Sequence, residues 1–121
     1  MTINLLVVDD VERMPYERLK LEERYPGGVY FNLPSEGIKH ATSNPVDVAV
    51  IDPIVYGLYL IEEAGELMRT LKSNGAKVIF VDSGLGTEAL ELTHAEYDAV
   101  HVKPYNVEEL IAQIEGLVKK E

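Results

Sequence analysis

No cysteine occurs among the 121 residues, which excludes a disulfide framework and a thiolate metal site and suits a reducing compartment. Basic residues are scarce: 11 Lys and Arg stand against 21 Asp and Glu, for a formal net charge of −10. Phosphate neutralisation needs clustered Lys and Arg, so no nucleic-acid surface is expected. Long apolar runs are also missing, so no membrane span is expected. The opening residues Met1-Thr2-Ile3-Asn4 lack the basic start and apolar stretch of a signal peptide, so a cytoplasmic location is expected. The rest of the composition is that of a folded chain. An apolar fraction of 46% beside 26% charged residues excludes wholesale disorder, and the length suits one domain with one sizeable core.

Leu5-Leu6-Val7-Val8 is a short apolar run stopped by Asp9-Asp10, the pattern of a strand buried on both faces. From Val11 to Tyr25 the apolar positions Val11, Met14, Leu21 and Tyr25 fall near helical spacing, with Pro15 admissible only in a first turn. Pro26-Gly27-Gly28 ends this helix, and Val29-Tyr30-Phe31 reads as a second strand. Ser35 is the expected cap of a short helix reaching about Ser43. Asn44-Pro45 then precedes a third strand, Val46 to Ile51, which runs into Asp52. Leu60, Ala64, Leu67, Met68 and Leu71 line one face of a helix stopped by Asn74-Gly75. Val78 to Val81 is a fourth strand entering Asp82-Ser83-Gly84, followed by a less regular helix from Thr87 to about Ala95. Ala99 to Val102 is a fifth strand, ending at Lys103-Pro104. In the last helix Asn106 and Glu109 form a cap pair, and Val107, Leu110, Ile111, Ile114, Leu117 and Val118 make one apolar stripe.

Strands alternating with helices in this way predict an α/β fold, a doubly wound five-stranded parallel sheet with helices on both faces. No linker, repeat or low-complexity segment interrupts it, so residues 1–121 are expected to form a single domain with no attached output domain. In such a sheet, sites form outside the carboxyl ends of the strands. That rule brings Asp9, Asp10, Asp52, Asp82, Ser83 and Lys103 to one rim. Two carboxylates ~5 Å apart repel by about 3 kcal/mol at an effective dielectric near 20. Gathering four of them calls for a cation or for Lys103, and oxygen-only ligands favour a hard ion such as Mg²⁺.

The pieces Leu-Leu-Val-Val-Asp-Asp (5–10), Val-Asp-Val-Ala-Val-Ile-Asp (46–52), Val-Ile-Phe-Val-Asp-Ser (78–83) and Val-Lys-Pro-Tyr (102–105) follow one another in a telling order. With them the chain resembles, over essentially its whole length, the CheY-like receiver domain of two-component response regulators. The resemblance implies a flavodoxin-like (βα)5 fold and a phosphorylation-dependent signalling role without a turnover reaction. It implies that Asp52 is the phosphoacceptor and that Lys103 pairs with it and then with the phosphoryl oxygens. Mg²⁺ would be held by Asp10, Asp52 and the carbonyl of Ile54, with Asp9 acting through water. The implied partners are a histidine kinase or phosphotransfer protein and a downstream protein target, with the chain a monomer or weak homodimer.

The sequence departs from that family's pattern in three places. The hydroxyl residue usual at the end of the fourth strand aligns with Asp82; Ser83 would fill it only through a slip that turns the side chain to the other face. The aromatic switch position, three before the Lys, is Val100. Pro53 follows Asp52 at once, and aligning Gly65-Glu-Leu-Met-Arg69 with the family's third helix implies an insertion around Ile54 to Glu63. Asp82 and Val100 support the alternative of a pseudo-receiver, a protein-binding module without a phosphate switch, and the intact Asp9, Asp10, Asp52 and Lys103 speak against it. Two other classes fare worse. An Asp-nucleophile phosphatase wants a second Asp two residues beyond the first, where Ile54 stands, and rim acids would repel a flavin phosphate. Gly84-Leu85-Gly86 lacks the Gly-Lys-Ser/Thr of a phosphate loop. His40, His94 and His101 share no metal-ligand spacing and read as surface or packing residues.

Overall fold

A computed structural model describes residues 2–84 and 88–119. The elements follow the expected alternation. They are β1 (Leu5–Val8), a 3-10 turn (Val11–Arg13), α1 (Pro15–Arg24), β2 (Val29–Phe31), α2 (Pro34–Ser43) and β3 (Val48–Ile51). A short pair, β4 (Ile54–Val55) and β5 (Leu58–Tyr59), leads to α3 (Ile61–Ser73), β6 (Lys77–Asp82), α4 (Glu88–Leu92), β7 (Ala99–Val102) and α5 (Val107–Lys119). The main sheet has five strands in the order β2-β1-β3-β6-β7, and every pairing within it is parallel.

The strand sequences are apolar on both faces because both faces are covered. Leu6, Val8, Ala49, Ile51, Val78 and Phe80 pack with Leu67, Met68 and Leu71 of α3. Leu5, Val7, Val48, Val50, Ile79 and Val81 pack on the other side with Leu21 of α1 and Leu110 and Ile114 of α5. This division follows the period-two alternation of a pleated strand, and it fixes which side each strand-end residue faces.

Several boundaries differ from the sequence expectation. The first helix is split: a 3-10 turn ends at Arg13, Met14 lies between, and α1 starts with Pro15 at its first position, where no N–H is needed. Ser35 lies inside α2 rather than capping it; Leu33 is the N-cap residue, and its N–H donates to the Glu36 carboxylate at 3.1 Å. Asn106 caps α5 through the Glu109 N–H at 3.0 Å, but its own N–H donates to His101 Nε2 at 3.2 Å, so the pair is not reciprocal. α4 stops at Leu92, short of Ala95. Thr87, its expected start, and Leu85-Gly86 of the glycine motif lie outside the described residues.

The unexpected element is the β4–β5 hairpin, where the sequence pattern shows only an insertion. Its two-residue turn is Tyr56-Gly57, with φ of 53° and 75°. Both values lie in the left-handed region that tight two-residue hairpin turns require; Gly57 enters it without a steric cost and Tyr56 does not. The Leu60 N–H closes the insertion on the Pro53 carbonyl at 2.8 Å. Among the described residues no helix is long and apolar enough to cross a membrane.

Candidate functional site

Val8 pairs with Ile51, and Ile51 with Phe80, so Asp9 and Asp52 emerge at the same level of the sheet. Each is one residue past a side chain on the α3 face, which places both on the α1/α5 face. Ser83 lies two residues past Val81 and Lys103 two past His101, and Val81 pairs with His101. The same parity therefore delivers Asp9, Asp52, Ser83 and Lys103 to one side of one edge.

Asp52 is 0% exposed and Asp9 only 1%. Lys103 Nζ lies 2.8 Å from Asp52 Oδ2 and 3.0 Å from Asp9 Oδ2. The Ser83 hydroxyl donates to the same Asp52 Oδ2, and the Ile54 N–H donates to Oδ1 at 2.8 Å. Asp9 Oδ1 accepts the Asp10 N–H at 2.6 Å, and the Tyr105 hydroxyl donates to Asp9 Oδ2 at 2.6 Å. Asp10 Oδ2 pairs with Arg13 Nε at 3.1 Å, while its Oδ1 is buried without a partner among the described residues. A cavity of about 370 Å³ opens here, lined among others by Asp9, Asp10, Ile54, Tyr56, Ser83 and Lys103. Asp52 sits behind that wall.

Two carboxylates thus share one ammonium. Burial, and then the charge of Asp9, raise the Asp52 carboxyl above its usual pKa, against the pull of Lys103, Ser83 and the Ile54 N–H. Burial works against the Lys103 charge, but Asp52 and Asp9 more than offset it, so the ammonium is held more firmly than usual. Burial and then Asp9 push the Tyr105 phenol well above its ordinary value, so it is neutral and donates.

Two expected site residues are elsewhere. Asp82, two past Phe80, follows Phe80 to the opposite parity, and its Oδ1 accepts the Gly84 N–H at 2.9 Å in a local turn. Ser83 supplies the hydroxyl without any slip, because the strand runs on straight to Asp82. Val100 is half-buried against the α3-side core, and its carbonyl accepts from Gln113 Nε2 at 3.0 Å. Tyr105 is the residue the sequence reading passed over. Its signal was present in Val-Lys-Pro-Tyr: a hydroxyl two residues beyond the lysine, beside strand-end acids.

The donors fit a hard divalent cation in kind, since they are all oxygens and Asp10 Oδ1, next to Asp9, Ile54 and the cavity, is buried and has no partner among the described residues. Among the described residues, no three acidic or imidazole side chains are already gathered as metal ligands. Instead, Lys103 and Tyr105 hold Asp9, and Lys103, Ser83 and Ile54 hold Asp52.

No protein-family model and no curated protein matches the sequence. Solved structures do. A CheY-like response regulator receiver domain from Methanospirillum hungatei has a TM-score of 0.78 at 22% identity, with 100% of both chains covered. A response regulator receiver domain from Francisella gives 0.76 at 25% identity, covering 98% of each chain. The response regulator TrrA from Thermotoga maritima, solved in complex with Mg²⁺-BeF, gives 0.71 at 26% identity, over 96% of this chain and 99% of that one. The parallel order β2-β1-β3-β6-β7 and these neighbours agree: the chain has the flavodoxin-like, CheY-like fold of response regulator receiver domains and resembles them over nearly its whole length.

Proposed function

We propose that this chain is a phosphoacceptor receiver domain of a two-component system, with Asp52 as the acceptor. The observation that carries the reading is the convergence of Lys103 Nζ and the Ser83 hydroxyl on one oxygen of Asp52. Phosphoryl transfer asks a protein mainly to position the reactants and to stabilise charge on the transferring oxygens. An ammonium and a hydroxyl beside the attacking carboxylate meet that need. A carboxylate oxygen of Asp52 bonds to the phosphorus of a phosphohistidine on a histidine kinase or phosphotransfer protein. The P–N bond breaks, and its electron pair returns to the imidazole nitrogen, which takes up a proton. Lys103 and Ser83 pass from the carboxylate to the new phosphoryl oxygens.

Mg²⁺, when bound, supplies further charge neutralisation on the phosphoryl group. Asp10, Asp52 and the Ile54 carbonyl would hold it, with Asp9 acting through water. The chain signals by contact with a downstream protein, as a monomer or weak homodimer in the cytoplasm, and it turns over no substrate.

One observation favours a second reading, the pseudo-receiver. Asp52 is fully buried, and both of its oxygens already have partners. Incubation with acetyl phosphate and Mg²⁺, followed by intact mass spectrometry, separates the two. A receiver gains one phosphate that Asp52→Asn does not; a wild-type chain that gains none is a pseudo-receiver.

A further inference from the structure

Asp9, like Asp52, has partners on both carboxylate oxygens, and one of its partners is the Tyr105 hydroxyl. Its Oδ1 accepts from the Asp10 N–H and from Lys103 at 2.6 and 3.1 Å, and its Oδ2 accepts from Tyr105 and Lys103 at 2.6 and 3.0 Å. Tyr105 is itself held. Its ring stacks on His101, with centroids 5.5 Å apart and planes 24° from parallel. His101 is 1% exposed and fixed at both nitrogens. Nε2 accepts the Asn106 N–H, which leaves Nδ1 to carry the proton and donate to Gln113 Oε1 at 2.8 Å. Gln113 is anchored by the Val100 carbonyl. A series of directed contacts therefore runs from α5 through His101 and Tyr105 to a carboxylate at the rim.

We propose that Tyr105 is a positioning residue that keeps Asp9 turned onto Lys103 and thereby sets how tightly the neighbouring carboxylates take Mg²⁺. The inference rests on the phosphoacceptor reading only for the identity of the cation. A buried carboxylate oxygen that loses a donor carries a free-energy penalty. Removing the Tyr105 hydroxyl places that penalty on the metal-free state, and a cation drawn to the rim relieves it. Tyr105 thus favours a satisfied resting site over metal affinity.

The test is calorimetric titration of the whole chain with MgCl₂. Tyr105→Phe keeps the ring on His101 and removes only the hydroxyl, so the fold is retained and Mg²⁺ should bind about tenfold more tightly, which is about 1.4 kcal/mol. Tyr105→Leu, lacking the hydroxyl as well as the ring, should show the same direction of change. In an Asp9→Asn background, Tyr105→Phe should no longer alter the affinity. A purely structural role would lower the melting temperature and leave the Mg²⁺ affinity within about twofold, which would overturn the proposal. A gain that persists without the Asp9 carboxylate would also overturn it, as would a wild-type chain and variants that all fail to bind Mg²⁺. Failure of the phosphoacceptor reading is distinguishable: acetyl phosphate would leave Asp52 unlabelled while the affinities still shift as stated.

Discussion

Ser83 and Lys103 donate to the same oxygen of Asp52, although they follow different strands and are twenty positions apart in sequence. Strand pairing explains the meeting. Val81 lies opposite His101, and two residues further along each strand the pleat returns to the same face, at Ser83 and at Lys103. Asp82, between Val81 and Ser83, is sent to the other face.

That parity gives the first prediction. Ser83→Ala should slow acetyl phosphate labelling of Asp52 about tenfold, since a hydrogen bond to a charged group is worth roughly 1.5–3 kcal/mol and about 1.4 kcal/mol is tenfold in rate. Asp82→Asn should leave the rate within about twofold. Initial rates from intact mass spectra decide it; a faster Asp82→Asn would return Asp82 to the site.

Lys103 is the counter-ion of two buried carboxylates, so its loss should unfold the chain more readily. Lys103→Met is expected to cost about 3 kcal/mol in urea unfolding at neutral pH. Adding Asp9→Asn should recover part of that loss by removing one of the two unpaired charges. No recovery would mean that Asp9 and Asp52 do not share the ammonium.

How far the site could be read without coordinates depended on position in the strands. Asp9, Asp52 and Lys103 were legible because each directly follows a strand-like run, with Asp10 beside Asp9, and a doubly wound sheet collects such residues at one edge. Ser83 was not, because choosing between it and Asp82 needs the inter-strand register and the end of β6, neither of which the run Val-Ile-Phe-Val-Asp-Ser contains. The β4–β5 hairpin was invisible for a different reason. Two-residue strands are too short to show alternation, and only Tyr56-Gly57 marked a turn. Pro15 limited where α1 could begin, since its ring is tolerated only in a first turn, but the helix expected from Val11 starts at Pro15, after a separate 3-10 turn.

Away from the rim, Asp98 ties the start of β7 to α3 and β6. Lys72 Nζ lies 2.8 Å from its Oδ2, which also accepts the Val78 N–H at 2.7 Å. Burial alone would raise this carboxyl, but the Lys72 and Val78 hydrogen bonds outweigh it and the net pKa is lowered. A carboxyl lowered on folding contributes stability above its unfolded pKa, about 3.9, and loses it as pH falls through the folded value. Asp98→Asn should therefore cost about 1–2 kcal/mol at pH 7, with the gap to wild type closing as unfolding is repeated below about pH 4. A gap that stays constant with pH would refute the assignment.

Gly65 marks a close approach of α3 to the end of α4. A Cβ placed there would stand 2.5 Å from the Thr93 carbonyl oxygen, which also accepts from Arg69 Nη1 at 2.7 Å. Alanine favours a helix interior by roughly 1 kcal/mol over glycine, yet this overlap with backbone should reverse the sign. Gly65→Ala is expected to destabilise by about 1–3 kcal/mol in thermal or urea unfolding, whereas a more stable variant would show that the two segments part without cost.

The most direct test of the central claim reads the chemistry at Asp52 itself. The chain is incubated with acetyl phosphate and Mg²⁺, reduced with borohydride, digested and mapped by peptide mass. An aspartyl phosphate is reduced to homoserine, so the account predicts homoserine at position 52 of the wild-type chain and at no other aspartate. Homoserine at Asp9, Asp10 or Asp82, or a peptide containing an unmodified Asp52 after full exposure to the donor, would contradict it.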